Sequence, residues 1–213
     1  MLDLFEELML LAIDDERGAI AGVETYRLYF GMAGAILAEL AIHGKVQVEN
    51  KKLFVIDETE TGDQLLDEAL DKIKASKKRK PSYWVNSYGN KKLRKAVAGR
   101  LAEKKVIRIE EKRYLWVIPY EVYPQQNASA KFWIKQELRA MLMSDARPEP
   151  HSLVLLSLAK ACGMLKLIFT KDERRAAKRR VDELVKGEVY GAAVAATIEE
   201  IEGAAVAVIA AAS

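Results

Sequence analysis

Apolar positions in this chain recur mostly at helical spacing, and two short stretches alternate instead. Leu4, Leu8 and Leu11 share one face of a helix over residues 4–13, which the Asp14-Asp15-Glu16-Arg17 exit and Gly18 bring to an end. Residues 28–42 are apolar nearly all round, apart from Glu39, which places that helix in the core. Gly31 and Gly34 would let a neighbour come close there, and Gly44 fits a C-cap. Alternation of Val46 and Val48 beside Asn50-Lys51 predicts a hairpin of Lys45–Glu49 with Lys52–Ile56. Thr61-Gly62-Asp63-Gln64 has capping-box spacing for the next helix. Lys74–Lys80 reads as a basic connector ended by Pro81, and Ser82–Gly89 as a short aromatic segment ahead of a helix over Asn90–Lys104. A second hairpin is expected to join Val106–Glu110 to Arg113–Val117. Further helices are predicted at Asn127–Met143, where Ile134, Leu138, Met141 and Leu142 share a face, and at Ser152–Cys162. Two more are expected at about 172–186 and about 189–211, the last broken near Gly203.

These elements add up to a mainly α fold in one domain spanning 1–213. Apolar central helices are surrounded by amphipathic ones and decorated by two β-hairpins. Leu40–Ile56 also aligns without gaps on Leu101–Val117, at an offset of 61 residues. Each copy is a helix feeding a hairpin, the unit of a winged helix.

Composition narrows the function classes. The only cysteine, Cys162, rules out an internal disulfide and sits in an apolar run, which suits a buried thiol and a reducing, cytoplasmic setting. Met1–Leu4 lacks the basic start of a signal peptide. No apolar run reaches the roughly 20 residues of a membrane-spanning helix, so any membrane contact is expected to be peripheral. His43 and His151 lie far apart, and there is no HExxH, GxSxG, CxxC, Walker loop or GxGxxG. The carboxylate pairs Asp14-Asp15 and Asp67-Glu68 fall at helix ends, where capping accounts for them. Neither an enzyme nor a metal or cofactor site is expected.

Charge distribution changes the picture. Sixteen basic residues and three acidic ones lie between Lys72 and Arg113, against a whole-chain net of +3, which leaves the remainder at −10. Lys91, Arg94 and Lys95 share one face of their helix, while Leu93, Val97 and Leu101 share another. Lys77-Lys78-Arg79-Lys80 precedes them and Lys112-Arg113 follows. Tyr114-Leu115-Trp116-Val117-Ile118 then places bulky apolar side chains beside that charge, a combination suited to a bilayer interface. The partners such a field selects are anionic lipid, nucleic acid or an acidic protein.

Four strings, in order, resemble the Golgi phosphoprotein 3 family and its shorter prokaryotic relatives. They are Glu6–Gly18, Glu39–Val46, Thr61–Leu70 and Leu153–Met164. The resemblance implies a mostly helical peripheral membrane protein. In eukaryotic members a shallow basic pocket holds the headgroup of phosphatidylinositol 4-phosphate. The hairpin after the basic helix touches membrane or a sister subunit. By position, Lys91 and Arg94 match two pocket residues, and the Tyr114–Val117 stretch matches the hairpin. Two pocket positions depart: the family's Trp falls near Glu24 and an Arg falls on Ala33, with Tyr26 and Arg27 near enough to substitute.

The expected function is therefore cytoplasmic, peripheral docking on anionic phospholipid headgroups. Lys91, Arg94, Arg27 and Tyr26 form the headgroup site, and Lys112, Arg113, Tyr114, Leu115 and Trp116 form the membrane-contacting hairpin. Self-association through the 106–118 hairpin is a further expectation. The alternatives are a winged-helix nucleic-acid binder, which the apolar helix of the first copy argues against, and an adaptor whose acidic remainder accepts basic protein tails.

Overall fold

The structure is a computed structural model that describes residues 2–143, 149–175, 177, 179 and 192–212. It is mainly helical, with two antiparallel hairpins. The order is α1 (Leu4–Ala12), α2 (Thr25–Ile42), β1 (Val46–Glu49), β2 (Lys52–Val55), α3 (Gln64–Lys74), α4 (Pro81–Tyr88) and α5 (Lys91–Glu103). Then come β3 (Glu110–Tyr114), β4 (Ile118–Val122), α6 (Ala128–Met143), α7 (Pro150–Ala161), α8 (Leu165–Ile168) and α9 (Ala192–Ala211).

Helices α1 and α2 make the centre, and α4, α5, α7 and α9 pack around them. Burial of α1 goes beyond the single stripe of Leu4, Leu8 and Leu11, because Phe5, Met9, Leu10 and Ala12 are also enclosed. The close approach expected at Gly31 is real: a Cβ there would collide with Cys162 Sγ and Leu8 Cδ2. Glu39 has a structural use. It is buried and accepts a hydrogen bond from the Leu4 N–H at 2.7 Å, satisfying one of the orphan amides that open α1. Among the described residues, no helix is long and apolar enough to cross a membrane.

Several elements depart from the sequence reading. Ser82–Gly89, read only as a short aromatic segment, belongs to a helix of its own: Pro81–Tyr88 is helical, with Pro81 in its first turn, where the missing N–H costs nothing. Asp63, not Thr61, caps α3, accepting from the Leu65 and Leu66 N–H groups at 3.0 and 3.1 Å. Thr61 turns to Asp67 instead. Helix α9 runs through Gly203 unbroken. The helix expected at 172–186, the start of that at 189–211 and the Leu142 side chain lie largely or wholly outside the described residues.

The internal repeat holds at the helix exits and fails in the hairpins. Lys45 N–H donates to Leu40 O at 2.8 Å, and Val106 N–H donates to Leu101 O at 2.9 Å. Gly44 and Lys105 precede them in the same left-handed conformation, at φ 66° and 56°. The first hairpin then turns at once, at Asn50-Lys51. The second keeps one register from the Ile107–Gln125 bridge to Tyr114–Ile118 and turns only at Leu115–Val117. Its strands are therefore 110–114 and 118–122, rather than 106–110 and 113–117. The register is set from the foot, where Val122 and Tyr123 are buried, so the two helix–hairpin units share their helix exits but not the register of their hairpins.

Gly18 holds that foot to the end of α1. Its carbonyl accepts from the Tyr123 N–H at 2.6 Å, its φ is +65°, and a Cβ would lie 2.7 Å from Pro124 N. The obstructing atoms are backbone and cannot rotate away. Gly18→Ala is expected to cost about 2–3 kcal/mol, combining left-handed strain with overpacking. Urea denaturation measures this; a loss below about 0.5 kcal/mol would mean the turn rearranges freely.

Candidate functional site

Three elements meet around the amino-terminal end of α5. Asn90 caps the helix, accepting from the Lys92 and Leu93 N–H groups at 2.9 and 3.2 Å. Lys91 and Lys92 extend from its first turn into solvent, where the positive end of the helix dipole adds to their charge. Leu93, Val97, Ala98 and Leu101 are buried on the opposite side, as their spacing requires.

Arg94 behaves differently from Lys91. Its side chain is only 16% exposed. The guanidinium carbon lies 5.8 Å from the Tyr29 ring centroid and 5.9 Å from that of Tyr123, and one of its terminal nitrogens is 3.6 Å from Glu121. Its Nε is buried without a hydrogen-bond partner. Lys95 reaches the same Glu121 at 3.0 Å, and the Tyr123 hydroxyl donates to it at 2.9 Å. The hydrogen bonds from Lys95 and then Tyr123 hold the Glu121 carboxyl below its usual range. Burial, reinforced by the bond to Glu121, pushes the Tyr123 phenol up. Arg94 and Lys95 thus tie β4 to α5, whereas Lys91 and Lys92 are exposed with no ion-pair partner among the described residues. Sequence reasoning missed Tyr29, Glu121 and Tyr123, whose only signal was the Glu121-Val122-Tyr123 alternation.

Tyr26 and Arg27 lie on α2, and neither is brought against Lys91. Both bond Glu24: the Tyr26 hydroxyl at 2.7 Å, and the Arg27 Nε in a close ion pair. Arg27 and then Tyr26 hold the Glu24 carboxyl low. An open cavity of about 370 Å³ lies beside Arg27, lined also by Glu24, Gly163 and Lys166. Tyr26 sits edge-on to Phe30, and Phe30 covers Gly89 just ahead of α5. The surface is therefore continuous, yet Arg27 and Arg94 sit at its two ends with aromatic rings between them.

The hairpin projects from this surface. Trp116 is 91% exposed, and Leu115, Val117 and Ile118 are exposed with it. From Glu121, which is fixed to α5, to the turn is about 15 Å of extended chain. Leu115 and Trp116 both have positive φ, 48° and 65°, which costs bulky residues about 1 kcal/mol or more each. A strained, bulky, apolar turn in water is a feature that stability alone does not select. Lys112 and Arg113 are exposed on β3 just below it. The Tyr114 backbone closes the ladder opposite Ile118, while its side chain lies outside the described residues. Tyr114–Val117 is thus a strand end plus the turn, not a strand as the sequence suggested.

Among the described residues, no group of His, Cys, Asp and Glu could hold a metal ion. Cys162 is enclosed, and burial pushes its thiol up to about 12, which keeps it un-ionised and unreactive.

The chain is similar to proteins named vacuolar protein sorting-associated protein 74. It is 27% identical to that of Eremothecium gossypii over 165 residues and 28% identical to that of Schizosaccharomyces pombe over 166. Each alignment covers 67% of this chain and 49% of the relative, so the chain spans about half the length of these relatives. They are named for protein sorting, not catalysis. The family described as Golgi phosphoprotein 3 (GPP34) matches residues 4–201, nearly the whole of the sequence. The chain belongs to the Golgi phosphoprotein 3 family.

Proposed function

We propose that this protein docks reversibly on anionic membrane as a single unit, by inserting the 115–118 turn and setting the amino-terminal end of α5 against phospholipid headgroups. The observation that carries the reading is the exposed, strained Leu115-Trp116 turn standing above Lys112 and Arg113. Burying Trp116 and Leu115 at headgroup depth contributes about 1.5–3 kcal/mol each. Lys91, Lys92, Lys112 and Arg113 add about 1 kcal/mol apiece near an anionic leaflet, an amount that salt weakens. Arg94 contributes less directly, because Glu121 already compensates it. A phosphomonoester headgroup, such as that of phosphatidylinositol 4-phosphate, suits Lys91 and Lys92 at the helix start.

Co-sedimentation with vesicles tests this. The vesicles contain phosphatidylcholine alone, or with phosphatidylserine or phosphatidylinositol 4-phosphate at matched charge. Binding is expected to need anionic lipid and to fall with salt. Leu115→Ser with Trp116→Ala should weaken it at least about tenfold, and so should Lys91→Glu with Lys92→Glu. Both pairs are exposed, so folding should be unaffected. Undiminished binding in both double variants would refute the proposal.

A further inference from the structure

Among the described residues, a run of positive charge without carboxylate partners lies elsewhere, at the opposite end of α4. The Leu53 N–H donates to Arg79 O at 2.7 Å, an isolated antiparallel bridge that pins the Lys77–Lys80 connector to β2. Lys51 and Lys52, at the β1–β2 turn, are exposed beside it. The run therefore does not extend the α5 surface, because α4 separates the two by about 12 Å. Aromatic rings hold two of the cationic heads in place: Lys78 Nζ lies 3.8 Å from the Phe54 centroid, and Arg79 Cζ lies 4.9 Å from that of Tyr83. No carboxylate among the described residues comes within 4.0 Å of Lys51, Lys52, Lys77, Lys78, Arg79 or Lys80. By contrast Arg94, Lys95, Arg100 and Lys104 are all paired.

We infer that this patch is a second docking surface, whose partner is an acidic, extended segment of another polypeptide. The inference is independent of the lipid-docking reading. Six cations without a carboxylate partner among the described residues, two of them with heads preset on aromatic rings, form a complementary track for carboxylates, and presetting reduces the ordering cost of binding. The adjoining groove decides between a peptide and a bilayer. It has a volume of about 570 Å³, with Lys51, Lys80 and Ser82 on one side and Glu199 and Glu200 of α9 on the other. Both glutamates are exposed. A flat anionic leaflet resting on Lys51 and Lys80 would meet these carboxylates and be repelled. A narrow peptide can follow the basic rim and avoid them. Neither aromatic of the patch projects as Trp116 does: Phe54 is half-buried beneath Lys78, and Tyr83, 46% exposed against 91% for Trp116, carries Arg79 on its ring.

The test is fluorescence anisotropy with the whole chain and a short labelled peptide of glutamate and glycine. The wild type should bind it in a salt-dependent way. Lys51→Glu with Lys78→Glu should weaken binding at least about tenfold, and Lys51→Gln with Lys78→Gln by a smaller factor. Lys91→Glu with Lys92→Glu, which changes net charge equally, should alter it less than about twofold, and the Lys51/Lys78 variants should still sediment with phosphatidylserine vesicles. Circular dichroism checks that the variants fold. Absence of wild-type binding, or an equal loss in the Lys91/Lys92 variant, would overturn the inference. Loss of vesicle binding with peptide binding intact would assign the patch to membrane instead.

Discussion

Arg100→Met is expected to cost about 3–5 kcal/mol, the largest effect of any single substitution in α5. Glu6 is 0% exposed, yet it carries a carboxylate inside the packed centre. Arg100 Nε donates to it at 3.1 Å and Lys104 Nζ at 2.6 Å, while Glu6 reaches back to the Asp3 N–H at 2.9 Å. Arg100 also joins Asp3 at 2.8 Å and Asp63 at 2.5 Å. One guanidinium thus compensates three carboxylates from the start of α1 and the cap of α3. Removing it leaves Glu6 with one cation and Asp3 and Asp63 in mutual repulsion. A buried, uncompensated charge is far more costly than the net worth of the pair it came from. In a chain of this length the loss lowers the melting temperature by roughly 6–20 °C. Glu6→Met combined with Arg100→Met should recover part of the stability, because it removes the stranded charge along with its partner. Urea denaturation of the three variants decides the matter. A single-variant loss below about 1 kcal/mol would show that water enters and solvates Glu6. The knot also bears on the proposed docking, since it ties α5 to α1 and so fixes where Lys91 and Lys92 face.

That knot shows where the sequence was readable and where it was not. Helices α1, α2, α5 and α7 follow from apolar spacing, and the turn at Asn50-Lys51 follows from local conformational preference. The sixteen cations between Lys72 and Arg113 could be counted, but counting does not say which way a side chain turns. Folding divides them. Arg100 and Lys104 face the buried Glu6, Arg94 and Lys95 face Glu121, and Lys77–Lys80 cross to the first hairpin. Each allocation depends on a contact between residues distant in sequence, such as Glu6 with Arg100 or Leu53 with Arg79, which periodicity does not encode. The second hairpin was misplaced for a related reason. Its register comes from the burial of Val122 and Tyr123 and from the Gly18 carbonyl, more than a hundred residues upstream. The turn was then pushed onto Leu115 and Trp116, which no rule of turn composition would select. Trp116 itself was legible as an exposed aromatic beside charge, because a strand bulky on both faces cannot hide every side chain.

Glu202→Gln is expected to flatten the pH dependence of stability and to stabilise the protein by about 2–3 kcal/mol above neutrality. Glu202 is a half-buried residue of α9 that faces Ser157 and Lys160 of α7 and has Glu199 on its own helix. Burial pushes its carboxyl from the ordinary 4.5 up to about 7, and Glu199 adds to the rise, against the opposing hydrogen bond of Ser157 and charge of Lys160. A carboxyl with a raised folded value binds its proton more tightly in the folded state than in the unfolded one. Its contribution is therefore complete below about pH 4.5 and is lost as pH rises through about 7. Glu7 and Glu39, also raised by burial, slope the same way. So does His151: burial lowers it, but the hydrogen bond and charge of Glu7 outweigh that and leave it raised. The opposite slope comes from groups held low. Asp57, paired with Lys45 and bonded by Thr59, titrates at about 2, and its contribution is present above about pH 4 and lost as pH falls. Maximum stability should thus lie on the acid side of neutrality. Comparing the unfolding free energies of the wild type and Glu202→Gln at about pH 5 and pH 8 isolates the α9 carboxyl, because every other group is common to both. The two proteins should nearly coincide near pH 5 and separate by pH 8, with the variant more stable. A constant difference across that range would mean that Glu202 ionises normally and that the contact between α7 and α9 admits water.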